Sequence, residues 1–269
     1  MNEDMDGKET GRSIKDEIIF ILRKRGVVLG AVLVLIIGCM IYVPNIVQTN
    51  TRVGDRELPI YCVDTTEKKV SLSFDAAWGN EDTSTLLEIL TKNDVKVTFF
   101  MTGEWMKKYP DDVKRIYEAG HDIANHSENH KNMSKLGTAD IQSELLKPHQ
   151  TIKELLGIEM NLFRPPYGDY DNDVITTATA TGYYTVQWSV DSLDWKDYGT
   201  DSIVKTVLNH KNLGDGAIIL MHNGAKYTKD ALEQIIVGLK TQGYKLVPVS
   251  QLIHTGEFHM DHTGKQYKD

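Results

Sequence analysis

From Lys69 to Val249 the sequence alternates between short apolar or β-branched runs and longer amphipathic stretches of helical period. Apolar residues at every second position fit a strand, and those recurring every three or four fit one face of a helix. Strands are expected over 70–75, 95–101, 122–125, 162–164, 183–190, 217–221 and 245–249, and helices over 83–92, 112–119, 139–156, 173–180, 200–210 and 229–241. Gly120, Gly157, Gly182 and Gly243 each follow a periodic stretch and mark helix stops. Asp82 and Thr138 are the expected N-caps. Strand–helix repetition implies parallel strands with helices outside. About seven units in roughly 200 residues predict an α/β fold, a distorted (β/α) barrel, with any active site at the C-terminal ends of its strands.

The segment before this pattern obeys different rules. Residues 26–43 carry no charge, and 18 residues of helix span ~27 Å, enough to cross a hydrocarbon core. Arg23, Lys24 and Arg25 stand directly before the run, and no positive charge follows until Arg52. This asymmetry puts residues 1–25 in the cytoplasm as a short tail and the rest outside. A cleavable signal would have a shorter apolar core and a small-residue cleavage site. The expected organisation is a tail over 1–25, one transmembrane helix over 26–43, a stalk over 44–67, a catalytic domain over 68–255 and a C-terminal tail over 256–269. A net charge of −8 argues against a general nucleic-acid binder. Of the two cysteines, Cys39 lies in the apolar run, which leaves Cys62 as an expected free thiol.

Five short polar motifs fall at or just beyond the C-terminal ends of the expected strands. They are Ser73-Phe74-Asp75, His126-Ser127-Glu128-Asn129-His130, Arg164-Pro165-Pro166-Tyr167-Gly168, Asp191-Ser192-Leu193-Asp194-Trp195 and Leu220-Met221-His222. Their arrival at one rim says more than any one of them, since a lone histidine pair or Pro-rich turn is commonly a surface feature. His126 and His130 can converge on one metal ion from a tight loop or a helical turn. Asp75 can serve as a base, a ligand or a helix cap. Arg164, followed by a rigid turn, would keep Asp75 ionised and oriented. The Tyr167 backbone N–H could hold a developing oxyanion. Asp194 could hold a histidine protonated, and Trp195 could stack on a sugar. His222 emerges from an apolar strand, and a carboxylate partner would suit it to general-acid work. Asp191 and Asp194 also admit a glycosidase. They share one short loop, however, and that reading leaves the histidine pair without a role. His254, His259 and His262 have no such context and are expected at the surface.

This ordered set resembles the polysaccharide deacetylases of carbohydrate esterase family four, the chitooligosaccharide-deacetylase (NodB) homology domain, over about residues 68–253. The stretch Phe74-Asp75-Ala76-Ala77-Trp78-Gly79 is most similar to membrane-anchored, sporulation-type members. The resemblance implies a divalent metal, usually Zn2+, and hydrolysis of N-acetyl groups from N-acetylhexosamines in peptidoglycan, chitin or related polymers. It implies that Asp75 is the base, that His126 and His130 are metal ligands, and that Arg164 orients the base. It further implies that Tyr167 is the oxyanion donor, that Asp194 tunes the catalytic His222, and that Trp195 and Leu220 wall the substrate pocket. The departure is Ala76, where the family usually has a third metal ligand, an aspartate; catalytic zinc normally takes three protein ligands. Three outcomes are open. Asp82 supplies the third ligand; Asp75 or water completes a looser site; or the domain has lost catalysis and is a membrane-tethered glycan binder. The expected partners are cell-wall glycan and, through the N-terminal helix, the lipid bilayer, with no nucleic acid.

Overall fold

The computed structural model describes residues 49–269. The expected cytoplasmic tail, the membrane span over 26–43 and Cys39 lie outside the described residues. Among the described residues no helix is long and apolar enough to cross a membrane.

In chain order the strands are β1 (Thr49–Asn50), β2 (Arg52–Val53), β3 (Arg56–Glu57), β4 (Cys62–Val63), β5 (Lys69–Ala76), β6 (Thr98–Met101), β7 (Asp122–Asn125), β8 (Leu162–Phe163), β9 (Tyr184–Thr185), β10 (Val190–Asp191), β11 (Ile218–His222), β12 (Lys245–Leu246), β13 (Phe258–Met260) and β14 (Lys265–Lys268). The helices are α1 (Thr83–Lys92), α2 (Gly103–Lys108), α3 (Pro110–Glu118), α4 (Thr138–Leu156), α5 (Asn172–Ala180), α6 (Thr200–Leu208), α7 (Thr228–Thr241) and α8 (Val249–Leu252). Seven strands form one parallel sheet in the order β10-β11-β5-β6-β7-β8-β9, and β12 joins the start of β5. This is the expected barrel, open between β9 and β10. Ile60 bridges to Val186 and Cys62 to Ala217, so the segment before β5 touches both sides of the opening.

The alternation along β5 explains how the sheet is buried on both faces, as parallel sheets are. Val70, Leu72, Phe74 and Ala76 join the cluster under the helices, with Leu86 and Leu90 of α1 and Ile235 and Leu239 of α7. Ser71 and Ser73 face inward and satisfy their hydroxyls on the Val247 and Ile219 carbonyls. A second apolar cluster fills the interior, from Phe100, Ala124, Leu162, Val186 and Ile218 to Ile60, Val63, Phe258 and Met260. The β11–β5 register sets Leu220 beside Ser73 and His222 beside Asp75. Two polar motifs 147 positions apart are thereby brought level at one rim.

Several expectations are corrected. The strand over 183–190 is two short strands, because its middle pairs with one residue of another segment: Ile60 donates to the Thr185 carbonyl, and Gln187 donates to that of Ile60. The expected tail over 256–269 contains β13 and β14. These form a small sheet, in the order β1-β13-β14-β4, with strands from the expected stalk. Thr138 is the first residue of α4, and Gly137 occupies the cap position. The four glycine stops stand where expected, and Gly157 closes α4 at φ 72°, a conformation costly to residues with a Cβ. Cys62 is a free, partly buried thiol.

Candidate active site

The base position is built first. Asp75 is the last residue but one of β5, with its side chain turned inward, where its Oδ1 accepts from Arg164 Nη1 at 2.7 Å. Arg164 is wholly buried, and its Nη2 also donates to Ser73 Oγ and the Gln187 carbonyl. The guanidinium lies over the Phe100 ring at 4.1 Å, which fixes its plane. Burial works to raise the Asp75 pKa, but Arg164, with His126 and His222, outweighs it and holds the carboxyl below the usual range.

The acid position is a second pair. His222 ends β11, and its Nδ1 donates to Asp194 Oδ1 at 2.7 Å. Asp194 Oδ2 accepts from the His222 N–H and from Thr228 Oγ1. The carboxylate is wholly buried and fully engaged, so Nε2 is the His222 nitrogen left for chemistry. Burial opposes protonation of His222, but the hydrogen bond and charge of Asp194 raise its pKa above the ordinary histidine value.

His126 and His130 lie on the loop after β7, with ring centroids 5.0 Å apart. His126 Nδ1 is 2.7 Å from the Arg164 carbonyl and must donate to it, which turns Nε2 toward Asp75 Oδ2 at 3.5 Å. Burial pushes the His126 pKa down to about 4 and lowers that of His130, so both rings are neutral. Ser127 and His130 both have positive φ, as do Tyr167, Leu193 and Asp197 on neighbouring rim loops. Such conformations persist only where surrounding contacts enforce them.

The Ser127 N–H donates to Asn125 Oδ1 and the His130 N–H to Ser127 Oγ, and Glu144 of α4 holds the two residues between them. Its Oε2 accepts the N–H groups of Glu128 (3.0 Å) and Asn129 (2.8 Å), and its Oε1 accepts Asn129 Nδ2 and pairs with Lys131. Glu144→Ala is expected to lower stability by about 3 kcal/mol, the cost of leaving two such donors unpaired. Urea unfolding measures this, and an unchanged midpoint would show that the loop holds its strain without the carboxylate.

Asp75, His126, His130 and His222 open into one cleft of about 540 Å³, also lined by Ala77, Trp78, Tyr167, Trp188, Asp191, Trp195 and Leu220. Arg164 and Asp194 stand buried behind the base and the acid. Asp82 is elsewhere, which corrects its expected role as third ligand. Its Oδ1 accepts Asn223 Nδ2 at 3.0 Å and its Oδ2 accepts the Gly224 N–H at 2.9 Å. Both oxygens are committed to the loop after β11, and the side chain makes no capping bond to α1. Position 76 offers only a buried methyl on the face opposite Asp75. Among the described residues no group of three His, Cys, Asp or Glu side chains is placed to hold a metal. The residues present therefore do not fit a catalytic zinc, which takes three protein ligands.

Trp78, Trp188, Glu144 and Asn223 also contribute, and all four lie outside the five motifs.

The sequence model described as polysaccharide deacetylase matches residues 63–186. The chain is 37% identical to the uncharacterized protein YlxY of Bacillus subtilis, over 72% of this chain and 60% of that one. It is 35% identical to a peptidoglycan-N-acetylglucosamine deacetylase of Bacillus cereus, over 70% of each chain. A solved CE4 family pseudoenzyme from Bacillus anthracis superposes with a TM-score of 0.70 at 34% identity, covering 78% of this chain and 73% of that chain. The chain thus spans about 60% of one of these relatives and more than two thirds of the other two. Together with the motif order, these matches show that the chain belongs to the polysaccharide deacetylase family.

Proposed function

We propose that this chain is a polysaccharide N-deacetylase that removes acetyl groups from N-acetylhexosamine residues of cell-wall glycan. One observation carries the reading: the Asp75–Arg164 and His222–Asp194 pairs face the same cleft, an ionised base and a protonatable acid on neighbouring strands. Asp75 takes the proton of the attacking water. The tetrahedral oxyanion lies at the Tyr167 backbone N–H, and His222 protonates the departing amine. Trp195, Leu220 and the exposed ring of Tyr167 form the sugar-facing wall. Peptidoglycan is the favoured polymer because the Bacillus cereus relative is named for it. The charge-free run over 26–43 and the basic residues before it support a membrane-anchored protein with this domain outside the cell.

Ala76 and the likeness to a pseudoenzyme favour a second reading, a glycan-binding domain whose metal position is incomplete. The two readings part in one assay: acetate released by the purified chain from peptidoglycan and from N-acetylglucosamine oligomers, with and without added Zn2+. Release under either condition supports the deacetylase. Glycan binding with no acetate under both conditions supports the second reading.

A further inference from the structure

His222 is fixed in its plane by one hydrogen bond to Asp194, but a single bond does not fix the tilt of a ring. A second contact does. The Trp78 indole stacks on the imidazole with centroids 5.1 Å apart and planes 14° from parallel. Trp78 is 48% exposed and is not part of the core. An exposed indole on an irregular loop would ordinarily sample several rotamers, so what holds it matters.

The loop carrying Trp78 is clasped to the loop after β11 at several points. Asn223, wholly buried, donates from Nδ2 to the Gly79 carbonyl and to Asp82 Oδ1, accepts from Thr83 Oγ1, and donates its N–H to the Asp75 carbonyl. Asp82 Oδ2 receives the Gly224 N–H. Trp105 Nε1 also donates to the Gly79 carbonyl. Gly224 has φ 88°, and a Cβ there would stand 3.2 Å from the Gly79 nitrogen and 3.4 Å from Trp78 Cβ. The two loops therefore meet backbone to backbone, and this close approach sets the indole over the imidazole. A π face is also a favourable neighbour for a ring that gains positive charge.

We propose that Trp78 is a positioning residue for the acid of this site: its indole fixes the tilt of the His222 ring, and Asp82, Asn223 and Gly224 fix the indole. The inference rests on the deacetylase reading for its catalytic meaning but not for its geometry. It also gives the Asp82 carboxylate a role in place of metal binding.

The test compares wild type with Trp78→Ala, Trp78→Phe and Asp82→Ala. Ring nitrogen resonances of His222 are read by NMR, and kcat and KM are measured on an N-acetylglucosamine oligomer. Trp78→Ala is expected to shift or broaden the His222 resonances and to lower kcat about 10- to 100-fold, the scale of a small misplacement, with KM little changed. Trp78→Phe is expected to restore both, and Asp82→Ala to reproduce the Trp78→Ala resonances. His222 resonances that superimpose in Trp78→Ala and wild type overturn the proposal, whatever the activity. Shifted resonances in a protein without turnover support the positioning role and count against the deacetylase reading alone.

Discussion

Ala76→Asp is expected to convert a chain whose residues do not fit a catalytic zinc into one that binds it stoichiometrically, with acetate release rising at least ~100-fold, the order of gain expected from a competent catalytic metal. The argument starts from burial. Position 76 is fully buried among apolar side chains, and an ionised carboxylate left there costs several kcal/mol. That cost drives the end of β5 to turn the new carboxylate toward the cleft, where the neutral imidazoles of His126 and His130 stand. Three ligands then meet the usual requirement of catalytic zinc. Linkage supplies a check that needs no turnover: zinc should raise the unfolding temperature of Ala76→Asp and leave that of wild type nearly unmoved. If Ala76→Asp binds no more zinc than wild type, the missing aspartate is not what limits this site.

Loss of either proton-transfer group is the second large effect. Asp75→Asn and His222→Ala should each reduce acetate release by roughly 10²- to 10⁴-fold, the range for general acid–base groups. Circular dichroism would confirm that each variant remains folded. The pH profile follows from the directions of the two shifts. Turnover needs Asp75 ionised and His222 protonated. Arg164 keeps Asp75 ionised to lower pH than a free aspartate, and Asp194 keeps His222 protonated to higher pH than a free histidine. Each shift widens the active range on its own side. Asp194→Asn should therefore move the alkaline limb to lower pH and leave the acid limb in place. Full activity in Asp75→Asn would remove the assigned base.

What the sequence made legible is what local pattern controls. The alternation in β5 and the run over 122–125 located two strands and hence the rim on which Asp75 and His126 stand. The strand over 217–221 put His222 there as well. Asp82 was misassigned because its partners, Asn223 and Gly224, lie about 140 positions away, and nothing near it in the sequence announces them. Glu144 was missed because it sits in the middle of an ordinary helical pattern, and only the fold brings it under the histidine loop. Strands such as β4 and β13 are two and three residues long, too short for a period to register. Trp78 stands beside a motif, but its stacking partner comes from another strand.

The small sheet of β1, β13, β14 and β4 has a consequence for how the chain is made. β4 pairs with β14 across roughly 200 residues, and Phe258 and Met260 complete the interior cluster that Ile60 and Val63 begin. During synthesis the early strands wait for partners made about 200 residues later, and closure of so long a loop is slow. The nascent domain thus remains unfinished, and open to chaperones, until β14 has been made. A fragment cut at the limits of the family match, residues 63–186, lacks β13 and β14 and should be recovered as aggregate.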